Sequence, residues 1–135
     1  MHIEKLIRES HQMAKDKGFW EDPNRNVPEM LMLIVSEVAE GLEALRKEHR
    51  APEYVVQDLH SDLELNGTDD EYTFNVSIWK ETFEKAVKSS FEDELADVAI
   101  RLFDLCGGLN IDLAKHIQMK MYYNSTRGYK HGKKF

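Results

Sequence analysis

The sequence predicts an all-α fold, an antiparallel bundle of amphipathic helices with an ordered insertion between the second and central helices. Two observations predict it. Apolar residues recur three and four positions apart in several separate stretches, the spacing of one helix face. Most connectors between those stretches are short and punctuated by Gly or Pro, which favours antiparallel neighbours. At 135 residues the chain fits one domain, and 41% apolar with 32% charged residues suits a globular core under a solvated surface.

The first helix is expected from Ile3 to Lys17, where Ile3, Leu6, Ile7, Met13 and Ala14 keep helical spacing and Gly18 supplies the stop. The connector GFWEDPNRNVP follows, with Phe19 and Trp20 adjacent. Pro28 suits the first turn of a second helix that runs to about Glu48. Its main apolar arc is Leu31, Ile34, Val35, Val38, Leu42 and Leu45, while Glu43, Lys47 and Glu48 read as solvated. Residues 50–90 form the insertion or lid. Ala51-Pro52 breaks the helix, and no Lys or Arg occurs between Ala51 and Tyr72. Asn66-Gly67 and Thr68-Asp69-Asp70 are turn signals, Glu71 to Val76 alternates like a short strand, and Ser77 to Lys88 reads as a helix with Ile78, Phe83 and Val87 inward.

The central helix runs from Phe91 to Leu105. Leu95, Val98, Leu102 and Leu105 share its stripe, widened by Ala99 and Cys106, and Gly107-Gly108 punctuates it. A last helix opens at Asn110 or Asp112 and ends near Arg127, packing through Ile111, Ala114, Ile117 and Met121. Residues 128–135 are a basic tail.

The formal net charge of −7 argues against non-specific binding to nucleic acid. No run approaches the roughly 18 apolar residues of a membrane span, and the charged N-terminal stretch has no apolar signal core. The one cysteine, Cys106, cannot form an internal disulfide. A cytoplasmic location is therefore expected.

The chemistry lies in two acidic pairs. Glu37 and Glu40 stand three apart beside the apolar face of the second helix, and Glu94 and Asp97 repeat that arrangement on the central one. Glu92, Asp93 and Glu94 suit the helix dipole in a first turn, but Asp97 lies past it. Carboxylates beside an apolar face are costly to desolvate without a cation or hydrogen bonds. In an antiparallel bundle the four can share one space. Such an oxygen-only set, without His or Cys, suits Mg²⁺ or Mn²⁺ and not zinc. Lys120, Asn124 and Arg127, at i, i+4 and i+7, share a face able to hold the phosphate oxygens that the metal leaves free.

Taken together, Glu37-x-x-Glu40, Glu94-x-x-Asp97, the row Lys120, Asn124, Arg127 and the tail YKHGKK resemble the MazG-like all-α nucleoside triphosphate pyrophosphohydrolases. The resemblance covers Pro28 to Glu48 and Phe91 to Lys134. It implies a MazG-like helical bundle assembled as a homodimer or homotetramer, and Mg²⁺-dependent cleavage of a nucleotide between its α- and β-phosphates. It implies metal ligation by Glu37, Glu40, Glu94 and Asp97, with Glu40 or Glu37 handling the attacking water. It also implies phosphate contacts from Lys120, Asn124, Arg127, Lys130 and His131, and base stacking on Trp20. The gap from Gly41 to Asp93 is longer than the family pattern.

Other readings compete with this one. Each acidic pair read alone is a solvated helix edge, and Asp104 reads as a surface residue. His11, His49, His60 and His116 read as surface or packing residues. A di-iron site requires Glu-x-x-His, which is absent, and no EF-hand loop occurs between Asp58 and Asp70. A non-enzymatic helical interaction module and a hydrolase of a phosphoribosyl-nucleotide stay open as alternatives.

Overall fold

The computed structural model describes residues 2–66 and 74–134, apart from the His131 side chain. The described residues are all-helical: α1 (Ile3–Asp16), α2 (Val27–Arg46), α3 (Glu53–Leu65), α4 (Val76–Ala86), α5 (Phe91–Gly108) and α6 (Leu113–Ser125), then a 3-10 turn at Tyr129–Gly132. No strand occurs among them. Of the strand expected from Glu71 to Val76, residues 71–73 lie outside the described set, as do the turn signals at 67–70. Its last residue, Val76, opens α4 instead, because the Asn75 side chain accepts the Ile78 N–H at 3.0 Å and caps a helix there.

The chain forms two compact units, Pro28–Ala99 and Met1–Val27 with Ile100–Phe135. In the first unit, α2 carries two seams at alternating three- and four-residue spacing, rotated from each other by about 100°. Met30, Glu37, Gly41 and Ala44 lie on the buried one, with Ile34 half-buried beside them. The second seam corrects the expected apolar arc. Leu31, Val35, Val38, Leu42 and Leu45 stay 46–54% exposed. Small residues decide which seam turns inward: a Cβ on Gly41 would sit in ordinary contact with the Glu94 Cβ at 3.5 Å, so a residue larger than alanine there would hold α5 further away.

The region between α2 and α5 holds two helices where the sequence shows only one. Trp79 of α4 donates its indole N–H to the Leu59 carbonyl of α3 at 3.0 Å and stacks on Phe83 with ring centroids 5.3 Å apart. Leu59 and Val87 are buried, but Ile78, expected inward, is exposed.

In the second unit Gly18, at φ +84°, ends α1 as expected, and the Phe19 N–H returns to the Ala14 carbonyl at 3.0 Å. Gly107 and Gly108 are the last two residues of α5, so the helix ends where they are expected to punctuate it, though it runs through them rather than stopping at Leu105. They open its flank: a Cβ on Gly107 would meet His11 at 2.6 Å, and one on Gly108 would meet the Trp20 ring at 2.1 Å. Asp112, not Asn110, caps α6, its carboxylate accepting the Lys115 N–H at 3.1 Å. On α6 the residues Ala114 and Ile117 are half-buried, whereas Ile111 and Met121 are exposed rather than packed. No helix among the described residues is long and apolar enough to cross a membrane.

Candidate metal centre

The three acids that open α5 have different uses. The Ser90 hydroxyl, on a residue with no exposed surface, accepts the Asp93 N–H at 3.3 Å, and the Asp93 carboxylate accepts the Ser89 N–H at 2.8 Å. That reciprocal capping employs Asp93. Glu92 accepts the Ala51 N–H at 2.9 Å and pairs with Arg50; these contacts, the Ala51 N–H first, hold its carboxyl below the usual range. Glu94 has no such use. It is 5% exposed, and among the described residues no donor reaches its carboxylate. Burial, and then the charges of Glu40, Glu37, Asp97 and Asp93, push its pKa up.

Glu94 of α5 meets Glu37 from the buried seam of α2 and Asp97 one turn further along α5. Each offers one carboxylate oxygen, and these oxygens lie within 4.8 Å of one another. Glu37 and Glu94 are buried and Asp97 is more accessible. Three carboxylates this close, two of them desolvated, repel one another unless a proton or cation intervenes. The donor set therefore fits a hard divalent cation such as Mg²⁺ or Mn²⁺, and it has no nitrogen or sulfur for a softer metal.

Glu40 stands beside this triad rather than in it. It is exposed, its charge acts on Glu94, and both line a cavity of about 410 Å³ that also takes in Ser36, Lys47, His49 and Ser89. Of the four acids read from the sequence, three converge into a set that could hold a metal ion, and the fourth opens on the adjoining space.

The remaining site residues belong to the other unit. Lys120 and Arg127 are exposed and lie over the Tyr123 ring at 5.0 and 5.8 Å, with Asn124 half-buried. Lys130 is exposed, at φ +50°, near the Tyr129 ring. Trp20 is held on several sides. Its indole N–H donates to Asp104 at 2.7 Å, the Arg25 guanidinium covers its ring at 4.7 Å, and His11 meets it edge-on at 5.0 Å. Asp104 is not a surface residue but 7% exposed, and it also takes the His11 ring nitrogen at 2.9 Å and Arg25 at 3.5 Å. The sequence reading missed this network because its members lie 79–93 residues from Asp104 and leave no local pattern.

No protein-family model matches the chain, and neither a curated protein nor a solved structure matches it. The geometry alone defines, among the described residues, an all-helical fold with an acidic triad that could hold a metal ion.

Proposed function

We propose that this chain is a Mg²⁺-dependent nucleotide pyrophosphohydrolase of the MazG-like type. With water it cleaves a (deoxy)nucleoside triphosphate between the α- and β-phosphates, giving a nucleoside monophosphate and pyrophosphate. The observation that carries the reading is the triad: Glu37, Glu94 and Asp97 oxygens within 4.8 Å, with Glu94 buried and lacking a donor among the described residues. These three residues hold Mg²⁺, or Mn²⁺ in its place. The ion, when bound, offsets negative charge on the phosphate oxygens.

Glu40, exposed beside the triad, accepts the proton of the attacking water, with Glu37 as the alternative base. Lys120, Asn124, Arg127 and Lys130 hold phosphate oxygens. For Trp20 we favour a wedge over a base platform, because its N–H and its ring are already engaged by Asp104, Arg25 and His11. The working form is a homodimer or homotetramer, supported by the exposed seam of α2. The reading places the protein in the cytoplasm, where free nucleotides are the substrate.

The test is an assay over the common and deoxy nucleoside triphosphates and a phosphoribosyl-nucleotide, with Mg²⁺ present or chelated, separating pyrophosphate from phosphate. Metal-dependent pyrophosphate release, abolished in Glu40→Gln and Asp97→Asn without loss of helical circular dichroism, is the expected result. The exposed seam equally suits a non-enzymatic interaction module. Silence across the panel from a folded, Mg²⁺-binding protein would favour that module.

A further inference from the structure

We propose that the cavity beside Glu94 seats a phosphate chain, and that Lys47 and His49 are anion-binding residues of the site. The inference rests on the metal-dependent hydrolase reading above and adds two residues to it. The cavity, about 410 Å³, lies within the Pro28–Ala99 unit, and its polar lining is the carboxylates Glu40, Glu43 and Glu94 together with Ser36, Lys47, His49 and Ser89.

Four features point to this ligand class. Glu94, 5% exposed and without a donor among the described residues, lines the space, so one member of the acidic triad borders it. Among the described residues the lining carries no Phe, Tyr or Trp, so these offer no platform for a nucleobase. It does carry one ammonium, one imidazole and two hydroxyls, all able to donate to phosphate oxygens. Finally, neither the Lys47 nor the His49 side chain has an acidic partner among the described residues, whereas nearby Arg46 is already paired with Glu43.

His49 is also held in place. Its N–H donates to the Ala44 carbonyl at the end of α2, and its carbonyl accepts the Phe91 N–H at the start of α5, both at 2.9 Å. The cavity therefore joins two kinds of wall, carboxylates that need a cation and donors that need an anion. Mg²⁺ keeps several coordination positions for waters and substrate phosphates, so a metal-bound phosphate chain satisfies both walls at once. Without the cation, Glu40 and Glu94, and Glu43 as far as Arg46 leaves its charge unpaired, would repel the same anion, and anion binding must depend on the metal.

The experiment is isothermal titration of the full chain with inorganic pyrophosphate, with and without Mg²⁺. It is run on wild type, Lys47→Met, Lys47→Arg and His49→Ala, and each variant's melting temperature and Mg²⁺ affinity are measured alongside. Wild type should bind pyrophosphate only with Mg²⁺. Lys47→Met should weaken that binding about tenfold or more, as loss of a charge-assisted hydrogen bond does, and Lys47→Arg should restore most of it. His49→Ala should weaken it by about threefold or more. Mg²⁺ affinity should not change, since neither residue is a ligand. If Lys47→Met and His49→Ala bind like wild type, the cavity assignment is overturned while the hydrolase reading stands. If wild type binds neither Mg²⁺ nor pyrophosphate, both are overturned.

Discussion

Gly108→Ala separates the two roles open to Trp20. Within a helix, alanine is favoured over glycine by about 1 kcal/mol, so propensity alone predicts a stabilised variant. Here a Cβ would lie 2.1, 2.3 and 2.8 Å from three atoms of the Trp20 ring, more than an ångström inside ordinary contact at the closest. The ring cannot withdraw freely. Its N–H is bound to Asp104 at 2.7 Å, Arg25 lies over it at 4.7 Å, and His11 closes its edge. Displacing it costs about 1–3 kcal/mol of overpacking and weakens a hydrogen bond to a carboxylate worth about 1.5–3 kcal/mol. Less the helical gain, the variant should lose about 1.5–5 kcal/mol, the upper end only if the hydrogen bond is lost outright. Urea unfolding followed by circular dichroism and by fluorescence of the two tryptophans, Trp20 and Trp79, measures this. Gly41→Ala is the control: its new Cβ meets nothing closer than 3.5 Å, so it should be neutral or gain up to about 1 kcal/mol. A Gly108→Ala protein as stable as wild type would refute the wedge and leave Trp20 mobile enough to stack on a base.

Three further outcomes follow from the triad and the exposed seam. The pKa of Glu94 is raised in the fold, so the folded chain binds its proton more tightly than the unfolded chain does. Its contribution to stability is therefore greatest below the ordinary value of 4.5 and falls as pH rises through the raised value. The metal-free protein should gain in melting temperature at neutral pH when Glu94 becomes Gln, with a smaller gain near pH 5, whereas Mg²⁺ should stabilise wild type more than the variant; an equal gain at both pH values argues against the crowded carboxylate. Gly41→Val should push α5 from α2, spread the Glu37 and Glu94 oxygens and weaken Mg²⁺ binding by about tenfold or more, read by titration calorimetry; unchanged affinity would mean that the helices adjust without moving the ligands. Leu42→Glu, at the middle of the exposed seam, should move the sedimenting mass toward the 15.8 kDa of one chain, and a wild-type protein already at that mass would remove the case for an oligomer built on this face.

The helices were legible because period and punctuation act locally, and the exceptions share a cause. Gly107 and Gly108 read as a stop, yet their missing Cβ atoms make room for His11 and Trp20, partners nearly a hundred residues away. Asp104 read as surface for the same reason: its donors sit on α1 and on the α1–α2 connector. The first turn of α5 shows a finer limit. Glu92, Asp93 and Glu94 are equivalent in a sequence, and only the Ala51 and Ser89 N–H groups, which take up two of them, single out the third. The acidic pairs were nonetheless visible. Spacing of three on a helix places two carboxylates on neighbouring faces whatever the tertiary context, and Glu37, Glu94 and Asp97 do converge.

On α2 the limit concerns which face is the core. Both seams carry apolar residues, and hydrophobicity favours the one with Leu31, Val35, Val38, Leu42 and Leu45. The fold instead buries Met30, Glu37, Gly41 and Ala44, a less apolar set that contains an acid. Large side chains maximise buried area where neighbours can be held apart, whereas small ones permit close approach of two backbones. Bringing Glu37 near Glu94 requires close approach, so Gly41 faces α5 and the large residues face outward. Site geometry and apolar burial thus make opposing demands on one helix. The chain meets the first by itself and leaves the second exposed, which is why we couple the metal site and self-association in one proposal.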